Sequence, residues 1–70
     1  MQKLLRALNA LNDNILIAAE NDNLNDVEQL AECSKTILLA DSNDNDTIIL
    51  TIESNLSEML SVEVLSMMED

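Results

Sequence analysis

The sequence predicts an all-α fold: a helical hairpin followed by a third helix. The 70 residues include no Gly and no Pro, and tight hairpins between strands depend on Gly. They also include no Phe, Tyr or Trp, the aromatic residues that strands favour. The apolar residues instead recur at intervals of three and four, the period of an α-helix. A chain of this length forms a single domain, residues 1–70.

The first predicted helix covers residues 2–20. Its apolar seam alternates intervals of three and four, which is the heptad spacing of a packed helix. The seam residues are Met1, Leu4, Leu8, Leu11, Ile15 and Ala18. Leu5, Leu16 and Ile17 lie off the seam and widen the apolar face. Two interpretations stay open at this point, the core of the monomer and an interface between two copies.

The second predicted helix covers residues 25–40, after a polar break at residues 21–23. In a chain without Gly, Asn and Asp are the residues expected in such turns, because they tolerate left-handed backbone. Asn25 and Glu28 have the spacing of a capping box, which predicts the start of the helix. Cys33 falls at the edge of an apolar stripe, where we expect a small buried hydrophobe rather than a reactive thiol.

The third predicted helix covers residues 46–68, with Asp46 as its N-cap. Residues 47–52 alone have β propensity, but the longer window keeps helical spacing. The predicted buried face consists of Ile49, Ile52, Leu56, Leu60, Val64 and Met67.

The segment DSNDNDTIILTIE, residues 41–53, partly matches an EF-hand loop. Ser42, Asp44, Asp46 and Glu53 would take ligand positions 1, 3, 5 and 12 of that loop. Ser42 lacks the charge expected at position 1, and Thr47 stands where the loop needs a glycine. A linker and helix cap explain the same residues without a metal, so we expect no metal and no cofactor, and a calcium-responsive module is the less favoured alternative.

The charge and the residue types narrow the function. The net charge of −11 argues against direct binding to nucleic acid or to an anionic membrane. The chain has no His, no Tyr and no Gly-rich loop, so no catalytic residues are predicted and the chain is not expected to be an enzyme. Imitation of a nucleic acid remains an alternative, although the acidic residues gather at linkers and helix ends.

The sequence also predicts a cytoplasmic protein. The single cysteine fits a reducing compartment, because it leaves no internal disulfide. Asn9, Asn12, Asp13 and Asn14 interrupt the apolar N-terminal stretch, so we expect neither a signal peptide nor a membrane span there.

Apolar residues outside the predicted core faces suggest protein binding. A small core without aromatic residues gains stability from self-association, so we expect a homodimer. We also expect a partner protein, such as a regulator of transcription or signalling. The predicted interface for the dimer or the partner consists of Leu5, Leu16, Ile17, Val62, Leu65 and Met68.

The segment TILLADSNDNDTIILTIESNL, residues 36–56, resembles small enterobacterial connector proteins of the biofilm and acid-resistance regulator (AriR) type. In those proteins an apolar helix end, an Asn/Asp linker and an "IIL" helix start follow one another in similar order. The resemblance implies a dimeric helical regulator that acts through another regulatory protein. It assigns no functional residues here, because this chain lacks the aromatic and basic residues expected further along.

Overall fold

The computed structural model describes residues 3–40 and 43–69, and all of its regular structure over those residues is helical. The helices are α1 (Lys3–Glu20), α2 (Leu24–Ala40), α3 (Asn45–Asn55) and α4 (Glu58–Met68). The predicted all-α fold class is therefore confirmed. The predicted count of three helices is corrected to four over the described ranges, because the third predicted helix divides into α3 and α4.

The turn between α1 and α2 is built on Asp22, whose φ of 55° places it in the left-handed region. The backbone N–H of Asn23 donates to the carbonyl of Ala18 at 2.8 Å, and that of Asp22 donates to Ala19 at 3.1 Å. These two bonds form a Schellman motif, which usually has Gly at the left-handed position. The expectation that Asp or Asn would make this turn is confirmed.

The side chain of Asn23 caps the N-terminus of α2. Its side-chain oxygen accepts the backbone N–H of Asp26 at 3.3 Å, and its amide donates to the Asp26 carboxylate at 2.8 Å. The prediction of a capping box at Asn25 and Glu28 is therefore wrong. The reciprocal pair is Asn23 and Asp26, two residues earlier. The left-handed Asp22 ends α1 one residue before this cap, so α2 can start at Leu24.

Asp44, rather than Asp46, is the N-cap of α3. Its Oδ2 accepts the backbone N–H of Thr47 at 3.1 Å and the hydroxyl of Thr47 at 2.8 Å. Asp46 lies in the first turn, where a negative charge is favourable beside the positive end of the helix dipole.

The helical backbone is interrupted between α3 and α4 at Leu56 and Ser57, which are both extended. Ser57 caps α4, since its side chain accepts the backbone N–H of Leu60 at 3.4 Å. The break also turns the chain, so that α4 packs against both α1 and α3.

The core lies where α1 meets the other three helices. Its buried apolar residues are Ala7, Ala10, Leu11, Ala18, Leu30, Cys33, Ile37, Ile48, Ile52, Leu56, Leu60, Val64 and Met68. Of the seam predicted on α1, Leu11 and Ala18 are buried, Leu4, Leu8 and Ile15 are half-buried, and Met1 lies outside the described residues.

The predicted inner face of the third helix is correct at Ile52, Leu56, Leu60 and Val64. It is wrong at its two ends. Ile48 and Met68 are buried there, while Ile49 is half-buried and Met67 is exposed. At each end, the buried residue is therefore the sequence neighbour of the predicted one: Ile48 instead of Ile49, and Met68 instead of Met67.

Candidate functional site

The packing of α4 covers one side of α1. The Nη1 of Arg6 donates to the carbonyl of Met68 at 3.2 Å, and the Nδ2 of Asn14 donates to the Sδ of Met67 at 3.1 Å. At the other end of α1, Ile17 and Leu60 line one groove. α4 therefore runs antiparallel to α1, along the side that carries Arg6, Asn14 and Ile17.

The α3–α4 break lies against one side of α2. The side-chain oxygen of Gln29 accepts the backbone N–H of Ser57 at 3.2 Å. Cys33, one helical turn further along the same side of α2, is fully buried. The side of α2 that carries Gln29 and Cys33 is thus the side turned toward α3.

None of the four described helices covers the opposite flanks of α1 and α2. On α1, Leu8 and Ile15 are seven residues apart and half-buried on the side away from α4. On α2, Val27 and Ser34 have the same separation and are half-buried on the side away from Gln29. Because α1 and α2 pack as an antiparallel pair, helical periodicity brings these two flanks to one side of the hairpin.

We call this side the hairpin face. It combines the residues of both flanks and consists of Leu5, Leu8, Asn12, Ile15, Leu16 and Ala19 from α1, with Leu24, Val27, Ala31, Ser34 and Leu38 from α2. Each of these residues is described by the structure, and none carries a charge, although the chain as a whole has a net charge of −11. Leu5, Leu16, Leu24 and Leu38 each expose half or more of their surface.

The spacing within the hairpin face is that of helix-to-helix packing. The α2 members Leu24, Val27, Ala31, Ser34 and Leu38 follow intervals of three and four throughout. The α1 members contain the same series from Leu5 to Ala19, with Asn12 at its centre. Two heptad seams side by side present the ridges and holes that another pair of helices can fill.

The structure does not bring the six predicted interface residues together. Leu5 and Leu16 belong to the hairpin face, whereas Ile17 lies on the α4 side of α1. Val62 is exposed on α4, and Leu65 is half-buried beside the Arg6 side chain. Met68 is only 8% exposed and belongs to the core, so its side chain is not available at the surface.

Sequence reasoning missed the contribution of α2 to this surface. Leu24 and Leu38 are exposed, and Val27 is half-buried between them in the sequence. The available signal was the presence of two apolar stripes on α2. One stripe contains Leu30 and Ile37 and is buried, while the heptad series from Leu24 to Leu38 runs beside it.

A groove of about 390 Å³ lies at the start of α1, between the start of α3 and the end of α4. Its lining includes Lys3 and Arg6, which are two of the three basic residues of the chain. The hydrogen bond from Arg6 to Met68 places a cation at the negative end of the α4 dipole. This hydrogen bond helps to hold the end of α4 against the start of α1.

The four candidate calcium ligands do not form a described site. Ser42 lies outside the described residues, and Asp44 is engaged as the cap of α3. Asp46 and Glu53 are both exposed on α3. Within residues 3–40 and 43–69, no group of three or more acidic, cysteine or histidine side chains could hold a metal ion.

Cys33 is a buried thiol in the core. Burial raises its pKa from 9.0 to about 11, because the interior disfavours the thiolate. The thiolate is the nucleophile and the metal-binding form, so at neutral pH this position suits packing rather than chemistry.

None of the described helices has the length and the hydropathy needed to cross a membrane. Comparison of the chain with family models, with curated proteins and with solved structures finds no match. The resemblance of residues 36–56 to AriR-type regulators thus stays a prediction.

Proposed function

We propose that this chain is a small acidic regulatory protein of the cytoplasm that acts, as a homodimer, by binding another protein. It modulates a regulator of transcription or signalling, as the AriR resemblance implies, and it carries out no catalysis. The observation that supports the proposal is the hairpin face, a continuous uncharged apolar surface on a strongly acidic chain. Apolar surfaces of this kind on small soluble domains commonly mark sites of protein interaction.

The hairpin face suits a second copy of the chain. Each copy has a net charge of −11, so association is favourable only through a surface that brings no acidic side chains together. The hairpin face meets this condition. Two hairpins that pair through it form a four-helix bundle of α1, α2 and their symmetry mates.

Asn12 strengthens the case for one defined arrangement of this dimer. It is a polar residue at the centre of the α1 seam, between Leu8 and Ile15. A single Asn in an apolar helix seam favours the arrangement in which it meets its equivalent, because a mismatched Asn loses its hydrogen bonds. The two Asn12 side chains meet in the dimer whose two-fold axis passes beside the centre of the α1 seam.

The test of the dimer compares two neighbouring leucines of α2. Leu38 belongs to the hairpin face, and Leu39 is even more exposed but points away from that face. By sedimentation equilibrium, Leu38→Asp should weaken dimerisation by about tenfold or more, and Leu39→Asp by about twofold or less. Helicity by circular dichroism should be unchanged in both. A wild-type chain that stays monomeric at about 100 µM, or equal effects of the two substitutions, would refute the dimer proposed here.

The test of the regulatory function is affinity capture from cytosol with nuclease present, at low and at high salt. We expect a regulatory protein that stays bound at high salt, since apolar contacts are little screened. Loss of all partners at high salt, with basic DNA- or RNA-binding proteins bound at low salt, would instead support the alternative of a nucleic-acid mimic. Capture of no protein under either condition would refute both.

A further inference from the structure

A second exposed apolar surface lies on the first half of α4, and it differs from the hairpin face in its charge. Met59 is 75% exposed and Val62 is 58% exposed, three residues later on the same side of the helix. Together with Glu58 and Glu63 they line a shallow depression of about 620 Å³. The apolar pair is therefore flanked by a carboxylate before it and a carboxylate after it.

A neighbouring groove lies between α4 and the end of α1. That groove has a volume of about 150 Å³, and its lining includes Ile17, Leu60, Asp26 and Glu63. Glu63 lines both concavities, so they are neighbours on the surface. We call the joint surface, defined by Ile17, Met59, Val62, Asp26, Glu58 and Glu63, the α4 groove.

The charges around the α4 groove are all negative. Glu20 and Asp22 follow Ile17 along the chain, at the end of α1, and both are exposed. The three basic residues of the chain lie elsewhere, with Lys3 and Arg6 at the start of α1 and Lys35 in the second half of α2. Because α1 is antiparallel to both α2 and α4, these bases are at the far end of the molecule from the groove.

We infer that the α4 groove docks a basic amphipathic helix of the partner protein. Its apolar side would cover Met59 and Val62, and its Lys or Arg side chains would lie against Glu58 on one side and against Glu63 and Asp26 on the other. Helix-in-groove recognition combines such an apolar stripe with flanking charges, and a flexible Met adapts to the side chains that it meets. This inference rests on the proposed function and names the partner chemistry for it.

Charge decides between the possible occupants of the two surfaces. A second copy at the α4 groove would bring the carboxylates of both chains together, which is unfavourable. A basic helix is attracted by the same carboxylates, and this attraction also raises its rate of association with the chain. The uncharged hairpin face offers a basic helix no such attraction. The dimer and the partner therefore use different surfaces.

The experiment uses a synthetic Leu/Lys peptide of about five helical turns, with leucine at heptad spacing, and the same peptide with Glu in place of Lys as control. Both are titrated into the ¹⁵N-labelled chain. We expect the Leu/Lys peptide to shift the backbone signals of Ile17, Met59, Val62 and Glu63, and the Leu/Glu peptide to shift none. Shifts centred on the hairpin-face residues Leu5, Leu16 and Leu38 would overturn the inference.

Matched variants separate specific docking from general attraction to an acidic chain. Met59→Ser with Val62→Ser leaves the charge unchanged and should weaken peptide binding by about tenfold, through lost apolar contact. Glu58→Gln with Glu63→Gln should weaken binding by a similar factor. Asp46→Asn with Glu69→Gln removes the same charge at the opposite end of α4 and should weaken it by about twofold or less.

Equal effects of the two charge-removing pairs, with no effect of the serine pair, would show general electrostatic attraction and would overturn the inference. Its failure is distinguishable from failure of the proposed function. If the cytosolic partner binds the wild-type chain and the Met59→Ser, Val62→Ser variant equally well, the regulatory proposal stands and the docking site is wrong. If the wild-type chain captures no partner, the proposed function fails even when the peptide binds.

Discussion

The side-chain oxygen of Gln29 accepts the backbone N–H of Ser57 at 3.2 Å and ties α2 to the break between α3 and α4. Leu56 and Ser57 are both extended, so Ser57 has left the helical bonding pattern of α3. A backbone N–H released from a helix needs another partner, and Gln29 supplies it. The break is therefore stabilised by a tertiary contact as well as by the local cap of Ser57 on Leu60.

This break predicts that proline is tolerated at Glu58. As the first residue of α4, Glu58 occupies the position where helices accept proline, and the extended Ser57 before it is also compatible. We expect Glu58→Pro to change the free energy of unfolding by about 1 kcal/mol or less. Glu53→Pro is the matched control inside α3 and should cost about 3 kcal/mol or more. Urea unfolding followed by circular dichroism measures both, and a comparable loss for Glu58→Pro would mean that one helix runs through residue 57.

The left-handed Asp22 offers a stabilising substitution. At φ 55° a residue with a Cβ is strained, and the Asp carboxylate also lies at the negative end of the α1 dipole. We expect Asp22→Gly to raise the free energy of unfolding by about 1 kcal/mol. Asp22→Asn, which removes only the charge, should give a smaller gain. A thermal melt in which Asp22→Gly is no more stable than wild type would contradict the strained turn.

Burial of Cys33 predicts a loss of stability at high pH. Its pKa is raised from 9.0 to about 11 in the folded chain, so the folded state holds the thiol proton more tightly than the unfolded state. The stabilisation is fully present below about pH 9 and is lost as the pH rises toward about 11, by on the order of 2 kcal/mol. Denaturant unfolding at several pH values should show this decline for wild type. The Cys33→Ala variant should show a shallower decline; identical slopes would exclude a role for the thiol.

The cap of α3 predicts the behaviour of the Asn/Asp linker. Asp44→Ala removes the side chain that accepts both groups of Thr47 and should cost about 1 kcal/mol. Asp46→Ala is the control, since Asp46 contributes only through the helix dipole, and it should cost about 0.5 kcal/mol. Millimolar calcium should leave the melting temperature of the wild-type chain unchanged. A rise in melting temperature that disappears in Asp44→Ala would show that the linker binds the ion.

The division of the third predicted helix has a geometric reason. The buried residues Ile48, Ile52, Leu56, Leu60, Val64 and Met68 all follow at intervals of four. Four residues exceed one helical turn, so each interval turns the side chain by about 40° and five intervals by about 200°. A straight helix cannot keep such a series on one side. The break at Leu56 and Ser57 changes the direction of the helix axis, so that the buried residues of α3 and of α4 both face the core.

A local signal for this break was present in the sequence. Ser57 followed by Glu58 has the pattern of an N-cap and an acidic first turn. The prediction of a continuous helix instead used Ile49 and Met67, which preserve intervals of three and four across the break. The apolar residues of this region are so dense that two registers fit the same segment, and the local cap alone does not choose between them.

The sequence alone determined that the chain is helical and strongly acidic, and that Asp and Asn would make the turn between α1 and α2. Periodicity, the absence of Gly, Pro and aromatic residues, and side-chain capping are local properties, so they can be read along the chain. Only the tertiary structure decided which apolar side of each helix became core. Each helix carries more apolar residues than one buried side needs, and the side that turns inward depends on where the neighbouring helices lie. That is why Met68 became core, while Leu24 and Leu38 became part of the hairpin face.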